Sequence, residues 1–68
     1  MKLSARNQLK GKIVDIKEGP VSTEVTVELG DIKITSSITS VSAKQMQLAV
    51  GDEAFVVIKA SSVMIAKE

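Results

Sequence analysis

The sequence predicts an all-β domain with one short helix, folded as a small five-stranded barrel. Its apolar residues are mostly valine, isoleucine, leucine and alanine, and Phe55 is its single aromatic residue. Beta-branched residues favour strands because they fit a pleated, half-buried surface. Two neighbouring stretches also alternate apolar and polar residues with a period of two, as strands with one buried face do.

The first long predicted strand runs from Leu9 to Lys17. Residues 1–8 follow neither a period of two nor one of 3.6, so we expect an extended arm or a short first strand there. Glu18-Gly19-Pro20 then predicts a turn, because proline fixes its own φ and glycine tolerates a positive φ.

The clearest alternation covers residues 21–29. One face carries Val21, Thr23, Val25, Val27 and Leu29, whereas the other carries Ser22, Glu24, Thr26 and Glu28. After Gly30-Asp31 the pattern returns in residues 32–39, with Ile32, Ile34, Ser36 and Ile38 on one face. Two alternating runs joined by two turn residues predict an antiparallel hairpin.

A helix of about two turns is predicted between this hairpin and the last strands. Its candidate N-caps are Thr39, Ser40 and Ser42, and its candidate apolar face is Val41, Met46 and Ala49 or Val50. Gly51 marks the expected end of the helix, because glycine readily adopts the left-handed conformation that ends many helices.

Residues 53–59 contain five consecutive apolar residues. We expect a strand buried on both sides, either in the centre of a barrel or against a neighbouring subunit. The polar turn Ala60-Ser61-Ser62 precedes a last predicted strand at residues 63–66. A helix between the third and fourth of five strands is the order of the OB fold.

Length and composition point to association of identical chains. A domain of about 60 residues buries only about 60% of its unfolded surface. The 68 residues include neither cysteine nor histidine, so a disulfide or a structural zinc site is not expected to stabilise the fold. We therefore expect an oligomer. The longest apolar run is far too short to span a bilayer, and we expect a cytoplasmic protein without membrane contact.

Two stretches rich in hydrogen-bond donors lie near opposite ends of the chain: residues 4–11, Ser-Ala-Arg-Asn-Gln-Leu-Lys-Gly, and residues 59–62, Lys-Ala-Ser-Ser. We expect the fold to bring them together. Arginine offers a rigid planar fork of donors and stays charged. Because a buried anion needs opposing charge and several hydrogen bonds, Arg6 and Lys59 are candidate oxyanion ligands; a surface position or a salt bridge is the competing interpretation.

Other chemistry is poorly supported. The eight carboxylates accompany no histidine and no activated nucleophile, so we expect neither an enzyme nor a bare metal cation site. A net charge of +1 gives little attraction for nucleic acid. The stacking aromatics of single-strand binders are also missing, since we expect Phe55 in the core. The lysines of the strands, at positions 10, 12, 17 and 33, are expected on solvated faces.

The sequence resembles the molbindin, or Mop, family of small molybdate- and tungstate-binding proteins. The resemblance is carried by residues 4–11, by Ile38-Thr39 before a serine-containing helix, and by residues 57–63, Val-Ile-Lys-Ala-Ser-Ser-Val. It implies a single Mop/TOBE-like domain over residues 1–68, an OB-like barrel and a hexamer built as a trimer of dimers. Many members carry Gly-Ala-Val-Asn where this chain has Gly19-Pro20-Val21-Ser22.

The resemblance also implies a ligand site between subunits. The Ser4-Ala5-Arg6 segment of one subunit would meet Thr39 and the Lys59-Ala60-Ser61 segment of another. Arg6 and Lys59 would oppose the charge, Ser4, Thr39 and Ser61 would donate hydroxyls or backbone N–H groups, and Ala5 and Ala60 would donate through the backbone. Asn7 could equally hold the arm in place.

The implied function is cytoplasmic storage of molybdate, and also of tungstate, for molybdenum homeostasis, without an organic cofactor. Two alternatives stay open: a regulatory partner that senses molybdate, and a single-stranded nucleic-acid-binding OB module. The missing stacking aromatics argue against the second of these.

Overall fold

The computed structural model describes residues 2–68 of the chain, which form one antiparallel sheet and one short helix. The elements, in chain order, are β1 (Asn7–Glu18), β2 (Ser22–Leu29), β3 (Ile32–Thr39), α1 (Ser40–Gln45), β4 (Glu53–Ile58) and a 3₁₀ turn (Ala60–Ser62). The strand order across the sheet is β3-β2-β1-β4. The prediction of an OB-like, all-β fold with one short helix between the third and fourth strands is confirmed.

The long strand β1 pairs with two neighbouring strands. Its first half pairs with β4 and its second half with β2, and Lys12 lies opposite Glu53 on one side and Glu28 on the other. The register with β2 shifts between Ile13 and Asp15, which leaves Val14 as an extra residue. Such a bulge bends and twists a strand, so β1 can curl the sheet around a core.

The core lies on one face of this sheet. Its buried apolar residues are Ile13, Val25, Val27 and Val56. The alternation predicted for residues 21–29 and 32–39 is confirmed except at its two outer positions, because β2 buries every second residue and β3 turns every second residue from Ile34 onwards partly inward. The exceptions are Val21, which precedes β2 and is 78% exposed, and Ile32, which is 59% exposed. The strand lysines at 10, 12, 17 and 33 are exposed, as predicted.

Two buried hydroxyls join α1 to the sheet. The Ser40 hydroxyl donates to the Gly19 carbonyl at 2.6 Å. It therefore accepts the proton of the Thr23 hydroxyl, which lies 2.7 Å away. Both residues are buried and satisfied, so this network fixes the turn between β1 and β2 against the start of the helix.

The helix has six residues, close to the predicted two turns, but it ends earlier than predicted. Thr39 is its N-cap, as one of the three expected candidates, but the helix ends at Gln45 instead of near Gly51. Gln47 takes a positive φ of 53°, and the Asp52 carboxylate accepts from the Ala49 backbone N–H at 3.0 Å to form a separate turn. The predicted apolar face is wrong as well, because Val41, Met46 and Val50 are exposed.

In the C-terminal part of the chain the structure differs from three predictions. Residues 63–68 form no strand, and Met64 and Ile65 are 92% and 90% exposed, so the described part of the chain has four strands instead of five. Strand β4 lies at a sheet edge, where Val56 is buried but Phe55 is 50% exposed. The expected burial of β4 on both sides, and of Phe55 in the core, does not occur within one chain because no strand of this chain covers its outer face.

Replacing Gly11 by alanine should destabilise the fold. A Cβ atom at this position would lie 2.6 Å from the Glu28 carbonyl oxygen and 2.7 Å from Val27 Cγ1. Overpacking of this kind costs about 1–3 kcal/mol. Urea unfolding of Gly11→Ala should show this loss, whereas Lys33→Ala on the exposed part of β3 should leave the free energy of unfolding within about 0.5 kcal/mol of the starting protein. Equal urea unfolding midpoints for both variants would contradict the close approach of β1 and β2 at Gly11.

Removing the helix cap should cost less. The Thr39 hydroxyl accepts from the Ser42 backbone N–H at 3.1 Å and donates to the Ser42 hydroxyl at 2.8 Å. Loss of an N-cap side chain lowers stability by about 1 kcal/mol. Thr39→Ala should show that decrease in thermal or urea unfolding, and Thr39→Ser should restore it. A serine variant as unstable as the alanine variant would argue against capping as the cause.

Candidate functional site

The two donor-rich stretches meet at one end of the sheet. Asn7 and Ile58 are ladder partners at the ends of β1 and β4. Arg6 directly precedes Asn7 and Lys59 directly follows Ile58, so both cations lie just beyond this last pair. The expectation that the fold brings these stretches together is therefore fulfilled by the main-chain pairing of β1 with β4.

The two cations at this end are not neutralised by the protein. Within residues 2–68, the ion pairs are Lys10 with Glu53, at 3.2 Å, and Lys44 with Glu18, at 3.7 Å. Neither Arg6 nor Lys59 takes part in them, so the salt-bridge interpretation of these two residues fails for the described part of the chain. Both residues are exposed, and two unpaired cations at the same end of a sheet favour a bound anion.

Two side-chain hydrogen bonds hold the chain in place where β1 begins. The Gln8 amide donates to the Ala5 carbonyl at 3.1 Å, which closes a small loop around Arg6. The Asn7 amide donates to the Ile58 carbonyl at 3.2 Å. Sequence reasoning left the role of Asn7 open; the structure shows that it ties the arm to the end of β4.

The segment after β4 turns at once. The Ser62 backbone N–H donates to the Lys59 carbonyl at 2.8 Å and the Val63 N–H to the Ala60 carbonyl at 3.2 Å. A helical turn leaves its first N–H groups without a partner inside the turn. Here those groups belong to Ala60 and Ser61, and they follow Lys59 directly. Backbone donors and a cation thus occur together, as a tetrahedral oxyanion requires.

Thr39 lies elsewhere. It pairs with Ser22 at the start of β2, next to the end of β1, whereas Arg6 precedes the start of β1. The 12 residues of β1 separate the two places, and a strand rises about 3.3 Å per residue. In one chain, Arg6 with the preceding Ser4 and Ala5, and Lys59 with the following Ala60 and Ser61, therefore belong to segments that extend from the same end of the sheet, and Thr39 lies at the other end.

Other kinds of site find little support in the structure. Among residues 2–68, no three side chains of the histidine, cysteine, aspartate or glutamate type come close enough to hold a metal ion. The one α-helix of this part of the chain is six residues long, and no described helix is long and apolar enough to cross a membrane. The end of the sheet that carries Arg6 and Lys59 is therefore the strongest candidate site.

Comparison with known proteins gives consistent matches in sequence and in fold. Residues 3–65 match the TOBE domain. A probable molybdenum-pterin-binding protein of Haemophilus influenzae is 49% identical over 69 residues, which cover 100% of both chains. A molybdate-binding protein from Sporomusa ovata superposes with a TM-score of 0.95 at 27% identity, covering 98% of this chain and 100% of that one.

A longer structure is also similar. The cytoplasmic molybdate-binding protein ModG, in a form with molybdate bound, matches 88% of this chain with a TM-score of 0.84 and 46% identity. This chain spans 43% of the length of ModG. A family match over nearly all residues, and relatives that agree in both sequence and fold, leave one conclusion. The chain belongs to the TOBE domain family and, within it, to the small Mop proteins, the molbindins.

Proposed function

We propose that this protein binds molybdate at sites completed by more than one copy of the chain. The observation that carries the proposal is the placement of Arg6 and Lys59 just beyond the last pair of the β1–β4 ladder, with no carboxylate partner for either cation within residues 2–68. The relatives support it, since molybdate is the ligand in the names of the Sporomusa protein and of ModG.

The donor set suits a tetrahedral dianion. Arg6 and Lys59 oppose its two charges, and hydrogen bonds to charged groups contribute about 1.5–3 kcal/mol each. Hydroxyls of Ser4 and Ser61 and the backbone N–H groups of Ala5 and Ala60 direct the remaining oxygens. Tungstate has the same charge and nearly the same shape, so we expect it to bind as well.

Thr39 supplies the reason for more than one copy. It was expected to share a subunit with Lys59, but the two lie at opposite ends of the sheet. A single anion can therefore contact both groups only if they come from different chains. A hexamer arranged as a trimer of dimers would bring such ends together and hold several anions.

Exposed apolar residues support assembly. Phe55 and Val57 lie on the outer face of the edge strand β4, and Val63, Met64 and Ile65 follow the 3₁₀ turn without being covered by the chain. Leaving such side chains in water forgoes about 25 cal/mol for each Å² of apolar surface. Contact with a second copy would bury them, as a domain of this size needs.

The biological role that fits is intracellular storage of molybdate for molybdenum homeostasis. Several anions per assembly would buffer the free concentration, and ModG, which is similar in fold and sequence, is a cytoplasmic protein. We expect binding without catalysis. A sensing role remains the alternative, and a pull-down with and without molybdate distinguishes the two, because only a sensor should exchange protein partners when the anion binds.

We do not expect this protein to bind a pterin, although the name of the Haemophilus relative mentions one. Flat heterocycles are held by stacking against aromatic faces. The sequence has a single aromatic ring, that of Phe55, and it lies opposite Lys10, several residues into β4. The same lack of stacking surfaces argues against a single-stranded nucleic acid as ligand. A gel shift with single-stranded oligonucleotides at low salt is expected to show no complex.

Loss of either cation should weaken binding. Isothermal titration of the assembled protein with molybdate should show saturable binding, and sulfate should bind far more weakly. Arg6→Ala and Lys59→Ala should each lower the molybdate affinity by at least about tenfold, the equivalent of one charged hydrogen bond. Lys33→Ala, an exposed strand lysine outside the site, is the matched control and should bind as the unaltered protein does. Unchanged affinity in both site variants would overturn the assignment.

Charging the exposed tail should break the assembly. Met64→Asp combined with Ile65→Asp should reduce the mass measured by light scattering from that of an oligomer towards that of a single chain, because a carboxylate is costly to bury in an apolar interface. Molybdate affinity should fall in parallel, since Thr39 would no longer be supplied by another copy. Lys67→Asp serves as the control. An assembly of unchanged mass in the double variant would show that this segment lies outside the subunit contacts.

A further inference from the structure

The side chain of Asn7 makes an unusual connection. Asn7 is the first residue of β1, it is half-buried, and its amide nitrogen donates to the backbone carbonyl of Ile58, 51 residues later, at 3.2 Å. The two residues are also Cα partners at the end of the β1–β4 ladder. A side-chain hydrogen bond therefore adds to the last rung of that ladder.

The location of this bond matters more than its strength. The Ile58 carbonyl belongs to the peptide bond that leads into Lys59, and Arg6 is joined directly to Asn7. The bond thus links the two main-chain points from which the cationic side chains depart. Beyond this rung the described ladder ends, so no further strand pairing holds Arg6 and Lys59 next to one another.

Electrostatics makes such a link useful. Like charges repel one another, and the repulsion grows as the distance between them falls. Arg6 and Lys59 have no carboxylate partner within residues 2–68, so until an anion arrives their repulsion acts to open the end of the ladder. A hydrogen bond across that end opposes the opening, and ligands bind more tightly to sites that need no ordering at the moment of binding.

We propose that Asn7 is a positioning residue of the oxyanion site: it holds the Lys59 segment against the Arg6 arm before the anion binds. This inference rests on the proposed function, because it concerns the same site. Asn7 acts through the segments that it ties together, since the amide hydrogen described here is directed to Ile58. Gln8 differs from it, because its bond to Ala5 stays within the arm and does not reach β4.

The test uses the assembled protein and two substitutions. Asn7→Leu keeps a similar volume at a half-buried position but removes the donor, whereas Asn7→Gln keeps an amide. Gln45→Leu, which alters an exposed amide at the end of α1, is the control. For each protein, three quantities are measured: molybdate affinity by titration, the unfolding midpoint, and the anion-free exchange rates of the Ser62 and Val63 amides, whose hydrogen bonds close the turn after Lys59.

Positioning predicts a specific pattern. Asn7→Leu should weaken molybdate binding by about fivefold, as expected for one hydrogen bond, and should speed exchange at Ser62 and Val63 by a similar factor. Its unfolding midpoint should stay close to that of the unaltered protein, because leucine retains the packing. Asn7→Gln should recover part of the affinity and of the protection, and Gln45→Leu should match the unaltered protein in all three measurements.

Other results overturn the inference. Unchanged affinity in Asn7→Leu would do so, as would weaker binding with unchanged exchange, which would mean that Asn7 contacts the anion itself. A lower midpoint with faster exchange along the whole β1–β4 ladder would show a structural role only. If the unaltered protein binds no molybdate, the proposed function fails, and the amide exchange of Asn7→Leu alone tests the role of Asn7. Faster exchange confined to Ser62 and Val63 would then support the view that Asn7 holds the Lys59 segment in place. Unchanged exchange would contradict it.

Discussion

Strand β1 has to pair with two neighbours in succession, and most features of the molecule depend on how it does so. Its first half runs beside β4 and its second half beside β2. The change of partner requires a close approach of β1 and β2 at Gly11, where a Cβ atom would clash with the Glu28 carbonyl oxygen. It also requires a bulge at Val14. Because β4 lies against the start of β1, the two ends of the chain are brought to one place.

That arrangement concentrates charge where the sheet stops. Arg6 and Lys59 leave the ladder together, with no carboxylate near them in the part of the chain that the structure describes. Such an end is costly by itself and becomes favourable when an anion occupies it. Since Thr39 belongs to the other end of the sheet, a complete site and an assembly of chains are two consequences of one topology.

The small core points in the same direction. Four apolar residues are buried within residues 2–68, whereas Phe55, Met64 and Ile65 remain in contact with solvent. A sheet of four strands can enclose little apolar surface, and a short chain has few other means of stabilisation. Subunit contacts that cover these residues would stabilise the fold and, by the same step, bring together the segments that bind the ligand.

Local sequence determined much of the fold and the membership of the candidate site. Alternation in residues 22–29 and 32–39 fixed the hairpin and its buried face, and Thr39 was among the expected helix caps, because these features depend on near neighbours in the chain. The donor-rich segments could likewise be named from residue types. Tertiary structure decided what local patterns do not contain. A continuous apolar run does not show whether the same chain covers its second face. For this reason Phe55 was wrongly predicted to lie in the core, and residues 63–66 were wrongly predicted to form a strand. Register between strands distant in sequence placed Arg6 and Lys59 just beyond the same ladder pair, tied Asn7 to Ile58 and left Thr39 at the far end, because strand pairing is a non-local interaction that only the folded sheet defines.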